Sequence, residues 1–216
     1  MTTARFGLLL TPGAGAGRDQ PSLVAIEEAV TPHGVAVERM DFPYRLAGRR
    51  APDKPAVLLA AVVEGAARLA AATGLPPERA ALGGRSMGGR ICSMAAAEGL
   101  ACAGLVLVSY PLHPAGHSHP PEGFVSKNRS IATVSAHKGP PRADRPSRAE
   151  HFPRINVPCL FVSGTRDAFA TPAELEKATA LIPGEVTHVW LEGGDHGLRR
   201  RDADVAAAAS DWLLAL

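Results

Sequence analysis

The sequence predicts an α/β protein with a mainly parallel sheet of about six or seven strands, covered by helices on both faces. Short apolar runs alternate with segments whose apolar residues recur every three or four positions, which is the pattern of strands followed by helices. The runs are apolar nearly throughout, as is typical of parallel strands buried on both faces. The length of 216 residues suits a single domain with a substantial core.

The strands are predicted from apolar runs that end at turn residues. The first run, 6–10, is closed by Thr11-Pro12-Gly13-Ala14-Gly15, where small residues let the backbone turn tightly. The second, 35–42, is followed by Pro43, which favours an end to the strand. The remaining strands are predicted at 79–84, 105–109, 157–163 and 186–191.

The helices are predicted from apolar spacing. The longest, 52–74, begins near Pro52, ends at Gly74 and carries one stripe of apolar or small residues: Leu58, Val62, Gly65, Leu69 and Ala72. The last helix is expected to place four apolar residues on one face: Val205, Ala209, Trp212 and Leu216. Further helices are predicted at 21–30, 90–98 and 172–181.

One region departs from the alternation of strands and helices. Residues 111–158 contain nine prolines and five of the eight histidines, with little apolar periodicity. We therefore expect a single domain, 1–216, with an irregular Pro/His-rich insert at about 115–150 that acts as a lid or a partner-binding loop or is disordered.

Composition limits the classes of partner and compartment. The net charge is +2, so the overall balance gives no strong field for nucleic acid, and the first apolar run is too short to span a membrane. Three widely spaced cysteines, Cys92, Cys102 and Cys159, fit neither a disulfide framework nor a zinc site. We expect a cytoplasmic protein with a small-molecule substrate, no nucleic-acid or membrane partner, and an oligomeric state that the sequence does not define.

The central motif is Gly84-Arg85-Ser86-Met87-Gly88, a G-x-S-x-G pattern between a predicted strand and a predicted helix. Small neighbours are needed there because the serine backbone is strained and its side chain must stand clear of the turn. The plainer alternative is a glycine-rich turn, with or without a bound anion. Ser86 is the candidate nucleophile.

A serine hydroxyl needs a base to remove its proton and a carboxylate to orient that base. Asp167 and His196 each follow a predicted strand, and the chain order serine, acid, histidine is that of the α/β-hydrolase fold. For the base, His188 is the alternative, but it falls within a predicted strand. For the acid, the alternatives are Asp144 and Glu150, whereas Asp195 adjoins His196 and is poorly placed to fold back on its ring.

An acyl-transfer site also needs donors for the oxyanion. We expect the backbone N–H groups of Met87 and Ala14 to supply them. The loop of Ala14 has an alternative interpretation as a phosphate cradle, but it lacks the Lys-Ser/Thr ending of a P-loop. The residues expected to line a substrate pocket are Gly13, Gly15, Arg85 and Tyr110.

Further motifs are spread over nearly the whole chain. They include Phe42-Pro43-Tyr44, Gly83-Gly84-Arg85-Ser86-Met87-Gly88-Gly89, Ser109-Tyr110-Pro111-Leu112-His113-Pro114, Glu150-His151-Phe152-Pro153, Ser163-Gly164-Thr165-Arg166-Asp167 and Gly194-Asp195-His196. Through them the chain resembles the small, dienelactone-hydrolase-like α/β hydrolases, in particular the testis-expressed-thirty-like group and its bacterial relatives. The resemblance implies an α/β-hydrolase fold without a large cap domain and a triad of Ser86, Asp167 and His196.

Together these features predict a serine hydrolase of small carboxylic esters, thioesters or lactones that works through an acyl-enzyme and needs no cofactor. The alternative is a catalytically weak or inactive hydrolase-fold module for binding or assembly, since some relatives in the resembled group look non-catalytic. A serine peptidase is a lesser variant.

Other polar clusters have plainer interpretations. His113, His117 and His119 suggest a metal site only weakly, because the prolines around them disfavour a fixed helix, and we expect no metal. Arg49 and Arg50, with Asp53, are expected to form a structural ion-pair cluster, and binding of an anionic substrate or partner is the alternative. Asp144 and Glu150 interrupt a basic run that is expected on a solvated face: Arg142, Arg145, Arg148 and Arg154.

Overall fold

Six parallel strands form the central sheet of the computed structural model, which describes residues 4–113 and 148–216. The strand order is β2-β1-β3-β4-β5-β6. The strands are β1 (Phe6–Thr11), β2 (Val35–Arg39), β3 (Ala80–Arg85), β4 (Gly104–Val108), β5 (Cys159–Gly164) and β6 (Val186–Leu191). The predicted α/β class and parallel sheet are confirmed.

Helices cover both faces of this sheet. They are α1 (Pro21–Val30), α2 (Pro43–Leu46), α3 (Pro55–Thr73), α4 (Met87–Ala97), α5 (Pro172–Thr179) and α6 (Asp202–Ala215). The predicted bounds of α1 and β6 agree with the structure. The predicted insert lies outside the described residues except for its last three positions, 148–150, which form a turn.

The core consists of two apolar layers because successive residues of each strand point to opposite faces. On β1, Leu9 joins the layer under α3, α4 and α5, whereas Leu8 and Leu10 join the layer under α1 and α6. All three leucines have no exposed surface. The helices divide between the two faces in the same way: α1 packs beside α6 on one face, and α3 packs beside α4 on the opposite face.

The strand β2 ends three residues before its predicted limit. Leu10 pairs with Arg39 and the Met40 N–H still donates to the Leu10 carbonyl at 3.1 Å, but β1 then turns away at Pro12. Residues beyond Met40 therefore have no strand to pair with. Pro43 begins the short helix α2, since its fixed φ suits the first turn of a helix.

Helix α3 is long and apolar enough to match a membrane span by length and composition, with a mean hydropathy of 1.6. Its buried face packs on the sheet through Leu58, Val62 and Leu69, and its outer face is rich in alanine. The helix begins at Pro55 rather than Pro52, and Ala72 is exposed rather than part of the buried stripe. Helix α3 is thus a core helix of this sheet.

The last helix buries the predicted face except at its end, where Trp212 is only partly buried and Leu216 is exposed. Val205 and Ala209 are buried as expected, but Leu213 takes the place of Leu216, which is 45% exposed.

The described cysteines are free and buried, and burial raises the pKa of the Cys92 thiol to about 12. Such a thiol stays protonated and unreactive.

Candidate active site

Ser86 occupies a strained turn between β3 and α4. Its φ of 51° and ψ of −115° lie where L-residues rarely occur, so the surrounding structure must hold it there. Its N–H donates to the Val108 carbonyl at 2.8 Å, which anchors the turn to β4. Helix α4 starts at the next residue, Met87, earlier than the predicted residue 90.

The two glycines of the motif are required by contact. A Cβ at Gly84 would lie 2.1 Å from the Thr11 Oγ1, and one at Gly88 would lie 2.5 Å from the Thr11 carbonyl oxygen. Thr11 is itself buried and donates its hydroxyl to the Gly83 carbonyl at 3.0 Å. The end of β1 thus presses directly against the serine turn, and only glycine fits on both sides of Ser86.

The structure brings Ser86, His196 and Asp167 into one hydrogen-bonded chain. The Ser86 Oγ lies 3.0 Å from the His196 Nε2, and the His196 Nδ1 lies 2.8 Å and 3.0 Å from the two Asp167 carboxylate oxygens. With Nδ1 facing a carboxylate, that nitrogen carries the proton and Nε2 is free to accept one from the serine. The arrangement can therefore activate the hydroxyl.

Asp167 and His196 are held by loops that are bonded to each other. Asp167 is only 3% exposed and also accepts the Phe169 N–H at 2.8 Å. The Arg166 N–H donates to the Gly194 carbonyl at 2.8 Å, joining the loop after β5 to the loop after β6. This bond between the two loops holds Asp167 and His196 in a fixed position relative to each other.

Two contacts of His196 are not evident in the sequence pattern. The Phe169 ring stacks on the imidazole with centroids 4.0 Å apart. Arg85 donates through Nη2 to the His196 carbonyl at 2.8 Å and also to the Gly197 carbonyl. Phe169 lies two residues after Asp167 and Arg85 directly precedes Ser86, so adjacency to the motif residues is the signal that identifies them.

Ala14, in the loop after β1, lines the cavity at Ser86 between two residues whose N–H groups are bonded. The Gly13 N–H donates to the Gln20 Oε1 at 3.0 Å, and the Gly15 N–H donates to the Tyr44 hydroxyl at 3.2 Å. Within the described part of the chain, neither the Ala14 nor the Met87 N–H has a hydrogen-bond partner. These are the two groups expected at an oxyanion hole.

Tyr44 offers a test of that loop. For the ester hydrolysis that the sequence predicts, we expect Tyr44→Phe to lower kcat about tenfold with little change in KM, because losing one hydrogen bond frees the segment that carries the Ala14 N–H. Steady-state kinetics on a p-nitrophenyl ester, with thermal unfolding as the control for stability, checks it. An unchanged kcat would contradict a role for this loop in catalysis.

A cavity of about 700 Å³ opens onto Ser86 and His196. Of the predicted pocket residues, Gly13 and Arg85 line it, whereas Gly15 and Tyr110 do not. Gly15 lies on the outside of its loop, bonded to Tyr44. Tyr110 is 1% exposed and donates its hydroxyl to the Arg148 carbonyl at 2.8 Å, so it lies in the core behind the cavity.

The alternative candidates lie elsewhere or form ordinary contacts. His188 is bonded to the Thr179 hydroxyl at 2.9 Å and stacks on neighbouring aromatic rings, away from Ser86. Asp195 is exposed, and Arg49 pairs with Asp53 at 2.7 Å. Asp144, His117 and His119 lie outside the described residues. Across residues 4–113 and 148–216 there is no group of three or more metal-binding side chains.

A buried polar network stands behind the cavity. The His151 Nε2 lies 2.8 Å from the Ser93 hydroxyl on α4 and 3.5 Å from the Tyr110 hydroxyl. Burial, with the positive charges of Arg90 and Arg154, lowers the pKa of His151 to about 4. The imidazole is therefore neutral in the folded protein at pH 7.

This histidine predicts how stability depends on pH. The unfolded chain protonates His151 near its ordinary pKa of 6.5, whereas the folded chain protonates it only near pH 4. Between these two values the unfolded state binds more protons, so the free energy of unfolding decreases as the pH is lowered. The full loss is about 3 kcal/mol. Denaturant unfolding from pH 7 to 4 should show His151→Gln with a shallower decline than wild type, and equal slopes would contradict the assignment.

The fold and the order of its strand-end residues define the class of α/β hydrolases. The model of the family described as "Alpha/beta hydrolase domain" matches residues 4–128 and 138–213. The chain belongs to this family and is a hydrolase. The resemblance to dienelactone-hydrolase-like proteins is confirmed at the level of the family.

Solved structures share this fold. Dienelactone hydrolase from Anabaena variabilis superposes with a TM-score of 0.69 at 19% identity, covering 98% of this chain and 87% of its own. Est1E from Butyrivibrio proteoclasticus superposes with a TM-score of 0.70 at 18% identity, covering 99% and 89%. An alpha-beta serine hydrolase homologue from Coxiella burnetii gives 0.71 at 14% identity, covering 96% and 84%.

A curated sequence relative matches a shorter part of the chain. Epoxide hydrolase A from Mycobacterium tuberculosis is 35% identical over 63 residues, which are 29% of this chain and 20% of that protein. The match therefore spans about a fifth of the relative's length, and its activity is not thereby assigned to this chain.

Proposed function

We propose that this protein is a serine hydrolase of small carboxylic esters, thioesters or lactones that works through an acyl-enzyme on Ser86. The observation that carries the proposal is the continuous chain of hydrogen bonds from the Ser86 hydroxyl through His196 to Asp167. The site opens onto a cavity of about 700 Å³, large enough for a small-molecule substrate.

In the acylation step, the Ser86 oxygen attacks the substrate carbonyl carbon while the His196 Nε2 takes the hydroxyl proton. Asp167 keeps the imidazole in the required tautomer and stabilises the imidazolium. The Ala14 and Met87 N–H groups donate to the carbonyl oxygen as it becomes negative. His196 then returns the proton to the leaving alcohol or thiol, and the acyl group stays on Ser86.

In the deacylation step, water enters from the cavity and His196 takes a proton from it. The hydroxide equivalent attacks the acyl carbon, the oxyanion forms at the same two N–H groups, and the bond to Ser86 breaks. The proton on His196 passes back to the serine oxygen, which restores the free enzyme. A lactone substrate opens by the same two steps and leaves as one hydroxy acid.

The chemistry of serine favours an acyl substrate over an epoxide. Attack by Ser86 on an epoxide carbon would leave an ether on the serine, and His196 has no route to hydrolyse an ether. An ester of Ser86 is itself a substrate for the activated water.

The free, buried cysteines support a reducing location, and we propose the cytoplasm.

Labelling with a fluorophosphonate tests the proposal. We expect the probe to label the wild-type protein covalently, because it reacts with serines that a neighbouring base activates. Ser86→Ala should abolish the labelling, and Ser93→Ala, which removes a buried serine on the same helix, should not. Unlabelled wild type, or labelling that survives in Ser86→Ala, would overturn the proposal and favour a binding module.

A further inference from the structure

The cavity above Ser86 is lined by an excess of positive charge. Four arginines contribute to its wall, Arg85, Arg90, Arg148 and Arg199, and the described carboxylate that lines it is Asp53. Asp53 is already paired with Arg49 at 2.7 Å. The carboxylate of Asp167 lies behind the imidazole of His196, to which it is bonded. The Asp53 Oδ2 is buried and has no hydrogen-bond partner among the described residues, so the described lining sets one carboxylate against four arginines and keeps an excess of positive charge.

Arg90 lies close to Ser86, and its backbone N–H donates to the Ser86 carbonyl at 3.0 Å. It is four residues after the serine, so it sits one turn further along α4 on the same side of the helix. Its Nε is buried and has no hydrogen-bond partner in the described part of the protein. None of the ion pairs among residues 4–113 and 148–216 includes Arg90.

Arg148 approaches the same part of the cavity from the turn before the buried His151. Its Nη1 donates to the His113 carbonyl at 3.0 Å, and its own carbonyl accepts the Tyr110 hydroxyl at 2.8 Å. Burial and then the charge of Arg90 lower the pKa of its guanidinium. Arg148 thus lies on the cavity wall and not on the predicted solvated face.

Two half-buried guanidinium groups near one another, with no carboxylate of residues 4–113 or 148–216 paired to either, are an unfavourable arrangement in a folded protein. An arginine also presents its donors as a planar fork that matches an oxyanion. A negatively charged ligand would relieve the repulsion and supply the acceptors that the Arg90 Nε lacks.

From these contacts, and building on the proposed function, we propose that Arg90 and Arg148 form a subsite for an anionic group of the substrate, a carboxylate or a phosphate. The substrate class is then an ester, thioester or lactone that carries this charged group beside its scissile carbonyl. Arg85 is not assigned to the subsite, because its Nη2 is bonded to the carbonyls of the His196 loop.

The test compares matched esters with one leaving group. Mono-p-nitrophenyl glutarate carries a carboxylate, its methyl ester and p-nitrophenyl valerate are neutral, and p-nitrophenyl phosphonobutyrate carries a phosphonate. We expect wild type to favour a charged ester by at least about tenfold in kcat/KM. Arg90→Gln and Arg148→Gln should each lower that preference about 10- to 100-fold. If the carboxylate ester loses more of its preference in these variants, the subsite binds a carboxylate. If the phosphonate ester loses more, the subsite binds a phosphate.

Two controls sharpen the comparison. Arg154→Gln removes one positive charge from an exposed position outside the cavity, and it should keep the preference within about twofold if the effect is local. Arg90→Lys keeps the charge but removes the planar fork, and it should retain part of the preference. An equal loss in Arg154→Gln would overturn the subsite.

Direct binding separates this inference from the proposed function. Calorimetry on Ser86→Ala should show binding of glutarate or inorganic phosphate, and the added Arg90→Gln change should abolish it. If no ester is hydrolysed but the anion still binds through Arg90, the proposed function fails and the subsite stands. If neutral and charged esters are hydrolysed equally and neither anion binds, the subsite is overturned and the proposed function stands.

Discussion

We expect His196→Ala to lower kcat for ester hydrolysis by about 10⁴- to 10⁶-fold. The imidazole is the group that lies 3.0 Å from the Ser86 hydroxyl, and no second described histidine contacts that serine. Asp167→Asn should lower kcat by about 10⁴-fold while leaving the volume of the site unchanged, because an amide holds the wrong imidazole tautomer. Steady-state kinetics on a p-nitrophenyl ester measures both effects.

His188→Gln is the matched control for that experiment. His188 packs between Phe161 and Trp190 and is bonded to Thr179, so its loss affects packing on β6 but not the serine. We expect a kcat within about twofold of wild type. A His196→Ala enzyme that kept more than about a tenth of the wild-type kcat would show that another group is the base.

The second large effect is expected at Gly84. A Cβ there would lie 2.1 Å from the Thr11 Oγ1 and 2.5 Å from the Thr11 carbonyl oxygen, so Gly84→Ala must separate β1 from β3. We expect a loss of at least about 3 kcal/mol in the free energy of unfolding, at the upper end of overpacking effects. Denaturant unfolding measures it, and a protein that does not accumulate in soluble form agrees with the same result.

Two further variants test the cause of that loss. Gly74→Ala adds the same methyl group at a φ of 70° where nothing lies within 4 Å, so it should cost only about 1 kcal/mol. Thr11→Ala combined with Gly84→Ala removes the closer clash but keeps the carbonyl contact, and it should recover part of the stability. A Gly84→Ala protein as stable as Gly74→Ala would show that the two strands can move apart at little cost.

The parallel sheet could be predicted from the sequence because three of its inner strands, β1, β4 and β5, are fully buried and therefore apolar along nearly their whole length. The strand ends were less predictable. Met40 and Phe42 continue the apolar pattern of β2 and are buried, but β1 has already turned away beside them. The first turn of α4 contains Gly88 and Gly89, poor helix formers that are present because β1 and β3 approach them closely.

The geometry of the triad residues could be anticipated because open parallel sheets place functional groups after the ends of their strands. Their supporting contacts could not. Tyr44 reaches Gly15 across 29 positions, and Arg148 reaches the cavity from a segment of mixed charge whose pattern resembles a solvated surface. Arg90 is the exception, since its position four residues after Ser86 places it on the same side of a helix.

The position of β6 has a consequence for how activity is lost under stress. Ser86 follows a central strand, whereas His196 follows β6, which forms the outer edge of the sheet and is mostly only partly buried. An outer strand pairs on one side only and detaches more readily than the interior of a sheet. If His196 is the base, we expect fraying at this border of the molecule to abolish activity while most of the secondary structure stays intact, so that loss of activity precedes any change in a spectrum averaged over the whole chain.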